Sequence, residues 1–296
     1  MKIPLSIIIL TYNEEIHIER LMKNIADWAD EIFVVDSYST DKTLEIAKAL
    51  TNADLTRTNA DSQRGSVKVV QHKFENQAQQ FNWALDNLKI KNEWILRLDA
   101  DEYLTEELKQ EIGETLFNMG TSDVPNIDVN VRTSDVQKIN GYYMKRRVYF
   151  MGRWIKHGGY YPTWILRLFK KGKARSEQRA MDEHIILSEG KAEKLKNDFI
   201  DDNKKPLADW IAKHNNYSSR EAEDVLRKDY GAGKKRNFYY KFPKFLRVFL
   251  YFIYRYFFRL GFLDGKEGLI FHFLQGCWYR FLVDAKLYEA KNKSKQ

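Results

Sequence analysis

Short apolar, β-branched runs alternate with helical patterns over the first hundred residues, and this alternation constrains the fold more than any other feature. The run at residues 5–10 predicts a buried strand, and apolar side chains recur at helical spacing over residues 18–25. The same signals continue along the chain, with strands predicted over 31–36, near 54–58 and over 94–98, and helices over 39–49 and 74–88. Strands joined by helices imply right-handed crossovers. We therefore expect an α/β fold with a mostly parallel, Rossmann-like sheet flanked by helices.

The composition limits the class of protein. Hydrophobic residues make up 44% and charged residues 30% of the 296 residues, which is typical of a folded globular chain and excludes a disordered one. The single cysteine, Cys277, excludes a disulfide framework and a cysteine-based zinc site. No export signal is visible, because the apolar run at residues 5–10 is short and leads into polar residues. We therefore expect the bulk of the chain to face the cytoplasm.

Polar clusters stand at three predicted strand ends. They read Thr-Tyr-Asn-Glu at 11–14, Asp-Ser-Tyr-Ser-Thr-Asp at 36–41 and Asp-Ala-Asp-Glu at 99–102. Ligands of open α/β sheets bind beyond the carboxyl ends of the strands, so neighbouring strands would bring these clusters to one cleft. A tyrosine ring can stack on a base, and Asp36 can accept hydrogen bonds from a base or a ribose. Residues 36–41 are equally consistent with a turn and a helix cap.

Two carboxylates, Asp99 and Asp101, follow the apolar strand at residues 94–98. Unpaired carboxylates beside buried residues are costly. A hard divalent cation bound to one or both would compensate, and it would bridge a diphosphate. The alternative is a helix N-terminus, because Glu102 and the glutamates that follow it also place negative charge near a first turn.

These motifs, in this order, resemble an inverting family 2 glycosyltransferase with the GT-A fold, in particular the members that assemble bacterial lipopolysaccharide, capsule and exopolysaccharide. The similar segments are residues 7–15, 34–43 and 99–102, and the resemblance covers roughly residues 2–103. It implies transfer of one sugar from a nucleotide sugar, with a UDP-sugar as the expected donor and Mn²⁺ or Mg²⁺ as the cofactor.

The resemblance also implies roles for individual residues. Matched by position, the nucleotide-contacting loop corresponds to Thr11, Tyr12 and Glu14, the acid that contacts the base to Asp36, the acid on the ribose or sugar side to Asp99, and the metal ligand to Asp101. A glutamine and an asparagine that precede the metal strand in related sequences correspond to Gln80 and Asn82.

The general base is expected in the second half of the chain. Inverting transfer needs a carboxylate that deprotonates the acceptor hydroxyl as it attacks the anomeric carbon. Met-Asp-Glu-His at residues 181–184 resembles the acidic motif that holds the base in this family. We favour Asp182, with Glu183 next, and His184 could complete the metal sphere. The alternative for His184 is a structural histidine bonded to a carbonyl.

A polar helix is predicted around residues 213–222, and it resembles a segment that recurs in the polysaccharide-assembly members. Lys213, His214 and Arg220 are candidates for contacts with a diphosphate or with an acceptor phosphate. A solvated polar helix face explains the same residues.

The tail is aromatic and basic. Placed on a helix, its polar positions fall within an arc of about 120° while the remainder is apolar; these positions are Lys241, Lys244, Arg247, Tyr251, Arg255 and Arg259. The charges interrupt residues 238–262 too often for a membrane span of about 20 apolar residues. The pattern is typical of a helix lying in a membrane interface, with lysines and arginines reaching anionic lipid. The alternative is a helix packed on protein.

We therefore expect a catalytic domain over 1–230, with a nucleotide-binding half at 1–103 and an acceptor-binding half at 104–230, and an amphipathic helical tail at 231–296. The expected acceptor is a lipid-linked or lipopolysaccharide-type saccharide at the inner face of the cytoplasmic membrane, to which the protein attaches peripherally. The rivals are a nucleotidyltransferase, a non-catalytic membrane scaffold and a nucleic-acid-binding protein suggested by the net charge of +8. Acidic strand ends disfavour the last, so we expect no nucleic acid partner.

Overall fold

The computed structural model describes residues 2–52, 66–121, 138–177, 184–227 and 239–293. The weak strand predicted near 54–58 lies outside these residues. Contacts divide the chain into two units. The first, here the sheet unit, is formed by Met1–Arg146, Thr163–Gln178 and Glu183–Asn203. The second, here the helical unit, is formed by Arg147–Pro162, Arg179–Asp182 and Lys204–Gln296.

The β-branched runs form the strands as expected, and the intervening segments form helices. The strands are β1 (Ile3–Thr11), β2 (Ala29–Asp36), β3 (Ser66–Gln71), β4 (Trp94–Asp99), β5 (Glu102–Leu104), β6 (Ile139–Phe150), β7 (Arg153–Trp154), β8 (Thr163–Lys170), β9 (Ala174–Ser176), β10 (Ile185–Leu187) and β11 (Lys191–Asp202). The helices before the tail are α1 (Glu15–Ile25), α2 (Thr43–Asn52), α3 (Gln77–Asn87), α4 (Glu106–Thr121) and α5 (Leu207–Leu226).

The large sheet has the strand order β3-β2-β1-β4-β8-β6-β11-β5. Neighbouring pairs among β3, β2, β1 and β4 are parallel, which confirms the predicted α/β architecture. The strands that follow add an antiparallel part, because β8 pairs antiparallel with both β4 and β6, and β5 pairs antiparallel with β11. A separate two-stranded sheet joins β9 and β10.

The central strand β1 buries side chains on both faces, as parallel strands covered by helices do. Ile7 and Ile9 pack into a core that includes α1 and α4, and Ile8 packs into the opposite core beside Phe81 of α3. The helical spacing predicted over residues 18–25 is confirmed, because all four apolar residues of that face of α1 are at most 1% exposed. Strand β1 is therefore covered on both faces and is hydrogen-bonded to β2 and β4 along its two edges.

The tail is helical, as predicted. It contains α6 (Leu246–Ile253) followed by a π-helical turn (Tyr254–Phe258), a short 3₁₀ helix (Gly261–Asp264), and α7 (Gly265–Phe273), which continues through a second π-helical turn (Leu274–Trp278) into α8 (Tyr279–Lys293). Helix α5 packs with this tail, since Ala222 shares a core cluster with Tyr279, Val283 and Leu287 of α8. The predicted boundary near residue 230 therefore falls inside the helical unit. In the part of the chain that the structure describes, no helix combines the length and apolarity needed to cross a bilayer.

The polar arc of the tail is present, but its predicted direction is wrong for two of its arginines. Arg247 is 4% exposed and forms a two-point ion pair with the buried Asp284 of α8. Arg255 lies over the ring of Tyr160, 4.1 Å from the ring centroid, and donates to the hydroxyl of Tyr251. A carboxylate thus holds the buried guanidinium of Arg247, and aromatic side chains hold the partly exposed guanidinium of Arg255, where we had expected lipid headgroups.

Candidate active site

The carboxyl ends of β1, β2 and β4 lie level with one another. Thr11 stands opposite Asp36 in the β1–β2 pair, and Leu10 stands opposite Asp99 in the β1–β4 pair. The structure thus brings the three predicted polar clusters to one edge of the sheet, where ligands of such sheets bind.

Asp36 organises the loop that follows β2. Its buried carboxylate accepts hydrogen bonds from the hydroxyl of Thr11 at 3.2 Å, from both the backbone N–H and the hydroxyl of Ser39, and from Nε2 of Gln71 at 3.0 Å. Four donors match the acceptor capacity of a carboxylate. In this conformation Asp36 shapes the loop from within, and its predicted contact with a base stays a prediction.

The loops after β1 and β2 are hydrogen-bonded to each other. The backbone N–H of Asn13 donates to Oγ of Ser39 at 2.9 Å, and the N–H of Thr40 donates back to Oδ1 of Asn13 at 2.8 Å. Glu14 donates its N–H to Oγ1 of Thr43 at 2.7 Å, and its carboxylate contacts Nδ1 of His17. These hydrogen bonds join the two loops, residues 12–14 and 37–42, into one hydrogen-bonded unit.

One tyrosine projects from each of these two loops. The side chains of Tyr12 and Tyr38 are more than half exposed, and Tyr38 holds a φ of 60° that few bulky residues adopt. Backbone conformations of this kind persist only where surrounding bonds enforce them, and they cluster at functional sites. The two rings thus present exposed faces at this edge, and their predicted contact with a nucleotide base stays a prediction.

Asp99 lies between two arginines. Oδ1 accepts from Arg97 at 3.2 Å, and Oδ2 accepts from Arg167 at 3.0 Å. Arg167 also donates to the buried Glu102, whose other oxygen accepts the backbone N–H of Asp99 at 2.9 Å. Burial alone would raise the pKa of Asp99, but Arg97 and Arg167 outweigh it and hold that pKa below its usual range. Burial raises the pKa of Glu102, because Arg167 offsets only part of that cost.

Sequence reasoning missed Arg97 and Arg167, although the sequence carries a signal for them. The pentapeptide Trp-Ile-Leu-Arg-Leu occurs twice, at residues 94–98 in β4 and 164–168 in β8. These strands pair antiparallel with Leu96 opposite Leu168, and the two arginines are the next residue of each strand beyond that pair. A lone arginine in an apolar strand needs a buried counter-ion, and here both arginines share Asp99.

Asp101 has a different environment from Asp99. It is half-buried, and its Oδ2 accepts from the neutral amide of Asn203 at 2.9 Å. Its backbone carbonyl is held by Arg20 at 3.1 Å, and Arg20 in turn pairs with Asp202 at 2.8 Å. The carboxylate of Asp101 is thus positioned through its own backbone, with an amide as side-chain partner. One such carboxylate together with the oxygens of a diphosphate fits the ligand set of Mg²⁺ or Mn²⁺.

Within the described ranges, no group of three or more His, Cys, Asp or Glu side chains is arranged to hold a metal ion. His184 begins the segment leading into β10, is 66% exposed at its side chain, and places Nδ1 3.5 Å from the carboxylate of Glu177. Asp182 and Glu183 lie outside the described residues. The assignments of Asp182 or Glu183 as the base and of His184 as a metal ligand therefore stay predictions.

The side-chain amides of Gln80 and Asn82 are hydrogen-bonded to other segments of the chain. Nε2 of Gln80 donates to Ser37 and to the carbonyl of His72, and its Oε1 contacts Nδ1 of His72 at 2.7 Å. The amide of Asn82 makes two hydrogen bonds with the backbone of Ser176, at 2.9 and 3.0 Å. Both amides are thus committed to connecting α3 with neighbouring segments, and their predicted contact with the donor stays a prediction.

On α5, in the helical unit, His214 has a structural environment. Its ring stacks on Trp210 at 3.5 Å between centroids, and its Nδ1 is 2.8 Å from the carbonyl of Trp210, which assigns the proton to Nδ1. Burial lowers the pKa of His214 to about 4, so the ring is neutral at pH 7. A neutral, stacked imidazole disfavours the predicted phosphate contact. Lys213 and Arg220 are exposed on the same helix, and their roles stay predictions.

Comparisons with known proteins identify the family of the chain. The model of the family described as glycosyl transferase family 2 matches residues 6–175, more than half of the chain. A lipopolysaccharide core biosynthesis glycosyltransferase, LpsC of Rhizobium meliloti, is 27% identical over 97% of this chain and 93% of its own. An uncharacterised glycosyltransferase of Rickettsia bellii is 38% identical, but the match covers 40% of this chain and only 34% of that relative.

Among solved structures, that of S. aureus TarS 1-349 in complex with UDP-GlcNAc covers 100% of this chain and 93% of its own, with 15% identity and a TM-score of 0.48. Similarity at that level is too low to establish a shared fold, so the sequence match carries the assignment. An α/β sheet with acidic strand ends and these relatives define an enzyme of the glycosyltransferase class. The chain belongs to glycosyl transferase family 2.

Proposed function

We propose that this enzyme transfers one sugar, with inversion, from a UDP-sugar to a lipid-linked or lipopolysaccharide-type saccharide. The observation that carries the proposal is the level edge of β1, β2 and β4, where two exposed tyrosines stand beside two carboxylates of unlike environment. A nucleotide sugar needs both kinds of group, a flat surface for its base and acidic groups on its sugar and diphosphate side.

The two aspartates would then have different roles in donor binding. Asp99, held ionised between Arg97 and Arg167, suits hydrogen bonds from ribose or sugar hydroxyls, since its charge is already neutralised locally. Asp101 suits the divalent cation, because its side-chain partner is the uncharged amide of Asn203. Bound there, the cation would neutralise charge on the departing diphosphate.

The acceptor half of the reaction rests on the acidic motif at 181–184. A carboxylate there would take the proton of the acceptor hydroxyl as that oxygen attacks the anomeric carbon, with Asp182 favoured and Glu183 next. The acceptor class is supported by LpsC, whose name places it in lipopolysaccharide core biosynthesis and which aligns over nearly the full length of both chains. Such acceptors carry lipid, so we propose that the enzyme attaches peripherally to the inner face of the cytoplasmic membrane.

Calorimetric titration of the full chain with UDP and with GDP, each with and without Mn²⁺, tests the donor and the metal together. We expect UDP to bind at least tenfold more tightly with Mn²⁺, and Asp101→Asn to remove that gain while metal-free binding changes less than twofold. The matched control is Asp86→Asn, which alters an exposed aspartate paired with Arg175 and should keep the gain. Metal-independent binding in the parent chain would contradict the metal assignment, and GDP preference would contradict the donor.

A further inference from the structure

The exposed side of the tail is apolar. In α6 and its π-helical turn, the outward residues recur at helical spacing and continue through the short 3₁₀ helix into α7. The large apolar side chains of residues 241–273 that are between 38% and 75% exposed are Phe242, Leu246, Phe249, Leu250, Ile253, Tyr254, Phe257, Phe258, Leu260, Phe262, Leu263, Leu269, Ile270 and Phe273. Residues 241–273, all within the helical unit, are here called the apolar segment.

The polar side chains of this segment explain why the apolar ones face outward. Arg247 is committed to Asp284, and Arg255 to Tyr160 and Tyr251. The buried Asp264 accepts the backbone N–H groups of Lys156 and His157 at 3.3 and 3.0 Å. Ion pairs and hydrogen bonds therefore hold the polar face of the helices on protein, and rotating the apolar face inward would break them.

The charge of the exposed residues is one-sided. Every exposed residue of the apolar segment is apolar, aromatic, proline or cationic, and the exposed cations are Lys241, Arg259 and Lys266. The two acids of the segment are Asp264, which is buried, and Glu267, which is partly buried. An acid-free, aromatic-rich apolar surface with cations complements the interfacial region of an anionic bilayer, where apolar side chains insert and lysines reach headgroups.

We propose that the apolar segment docks on the lipid bilayer by inserting its exposed apolar side chains, while Arg247 and Arg255 keep their contacts within the protein. This inference rests on the proposed membrane partner and specifies how it is engaged. The alternative occupant, a second copy of the chain, would bring the same cations of each copy together with no exposed acid of the segment to meet them. The bilayer is therefore the occupant that both the apolarity and the charge favour.

The mode of binding follows from which groups face outward. Insertion of apolar side chains does not weaken as salt rises, whereas attraction between exposed lysines and anionic lipid is screened within about 8 Å at physiological ionic strength. The exposed cations of the segment, Lys241, Arg259 and Lys266, are far outnumbered by its exposed apolar side chains, so association should depend mainly on the apolar side chains.

Co-sedimentation of the full chain with vesicles tests the proposal. We expect binding to vesicles of phosphatidylcholine alone and to vesicles containing phosphatidylglycerol, with the latter changing less than threefold between 0.1 and 1 M NaCl. Phe258→Asp combined with Leu263→Asp should weaken binding to both vesicles at least tenfold. The matched control, Phe117→Asp, alters a phenylalanine of α4 that is 59% exposed in the sheet unit, and it should bind as the parent does.

Three results would overturn the inference. The first is loss of all vesicle binding at 1 M NaCl, and the second is unchanged vesicle binding of the double variant. The third is absence of vesicle binding in a parent chain that forms a dimer, with the double variant monomeric. UDP binding, measured on the same samples, separates this inference from the proposed reaction. Intact UDP binding without vesicle binding would support the donor site and reject the docking surface. Vesicle binding without UDP binding would support the docking surface and reject the donor site.

Discussion

Buried arginine is used differently in the two units. In the sheet unit, Arg97 and Arg167 hold acids at the carboxyl end of β4, where the side chain of Asp99 is still 26% exposed. In the helical unit, Arg247 and Asp284 are both at most 4% exposed, and the guanidinium of Arg247 lies over the rings of Tyr239 and Tyr240. The comparison shows that the arginines of the sheet unit hold a partly exposed acid at a strand end, whereas the ion pair of the helical unit anchors a helix whose outer face is apolar.

The largest expected effect comes from breaking the anchoring pair. Arg247→Leu leaves the buried Asp284 without its cation, and we expect the free energy of unfolding to fall by about 3–5 kcal/mol. Urea unfolding of the full chain followed by circular dichroism measures this. Adding Asp284→Leu should recover most of the loss. The exposed pair of Lys293 and Glu289 provides the control, since Lys293→Leu should cost less than about 0.5 kcal/mol.

A smaller effect, on turnover more than on stability, is expected in the sheet unit. Arg167→Met removes one of the two guanidinium groups on Asp99, while Arg97 remains and Glu102 can take up a proton. We expect the initial rate of sugar transfer to fall about 100-fold, near 3 kcal/mol of transition-state stabilisation. Arg175→Met, which removes an exposed arginine, is the matched control and should stay within twofold. Equal losses in both variants would show that Arg167 has no particular role at the strand end.

The smallest effect concerns a partly buried histidine that stacks on the ring of Trp210. His214 stays neutral in the folded chain, with a pKa of about 4, but it takes up a proton near pH 6.5 when the chain unfolds. The free energy of unfolding therefore falls as the pH drops from about 6.5 towards 4. Above that window His214 is neutral in both states and causes no such loss. Because His214 is only partly buried and solvent screens its charge, we expect only about 1 kcal/mol.

Comparing the free energy of unfolding at pH 7 and pH 4.5 in the parent chain and in His214→Phe measures this contribution. The variant should lose part of the acid-side decrease. An identical decrease in both would mean that the imidazole is protonated inside the folded helical unit.

The parallel half of the sheet could be predicted from the sequence because its signals are local. The continuous run at residues 5–10 and the helical spacing of α1 predict both faces of β1, and parallel strands bring their carboxyl ends to one edge without further information. Family membership then agrees with the same motifs.

The arginine pair could not be deduced in the same way. It depends on an antiparallel pairing between strands seventy residues apart, which the repeated pentapeptide hints at but does not specify. The direction of the tail was missed for a related reason. A helical projection gives the polar arc of residues 241–259, but only the position of Asp284, on a later helix, decides that Arg247 faces protein.

The single cysteine has a consequence for the apolar segment. Cys277 is buried in the second π-helical turn, and burial raises the pKa of its thiol, so its reactive thiolate form is disfavoured. The chain holds no other cysteine. A thiol introduced at Phe258 would thus be the dominant site for an environment-sensitive fluorophore or a spin label, and the depth of each outward side chain below the phosphate plane becomes measurable one position at a time without removing a native sulfur.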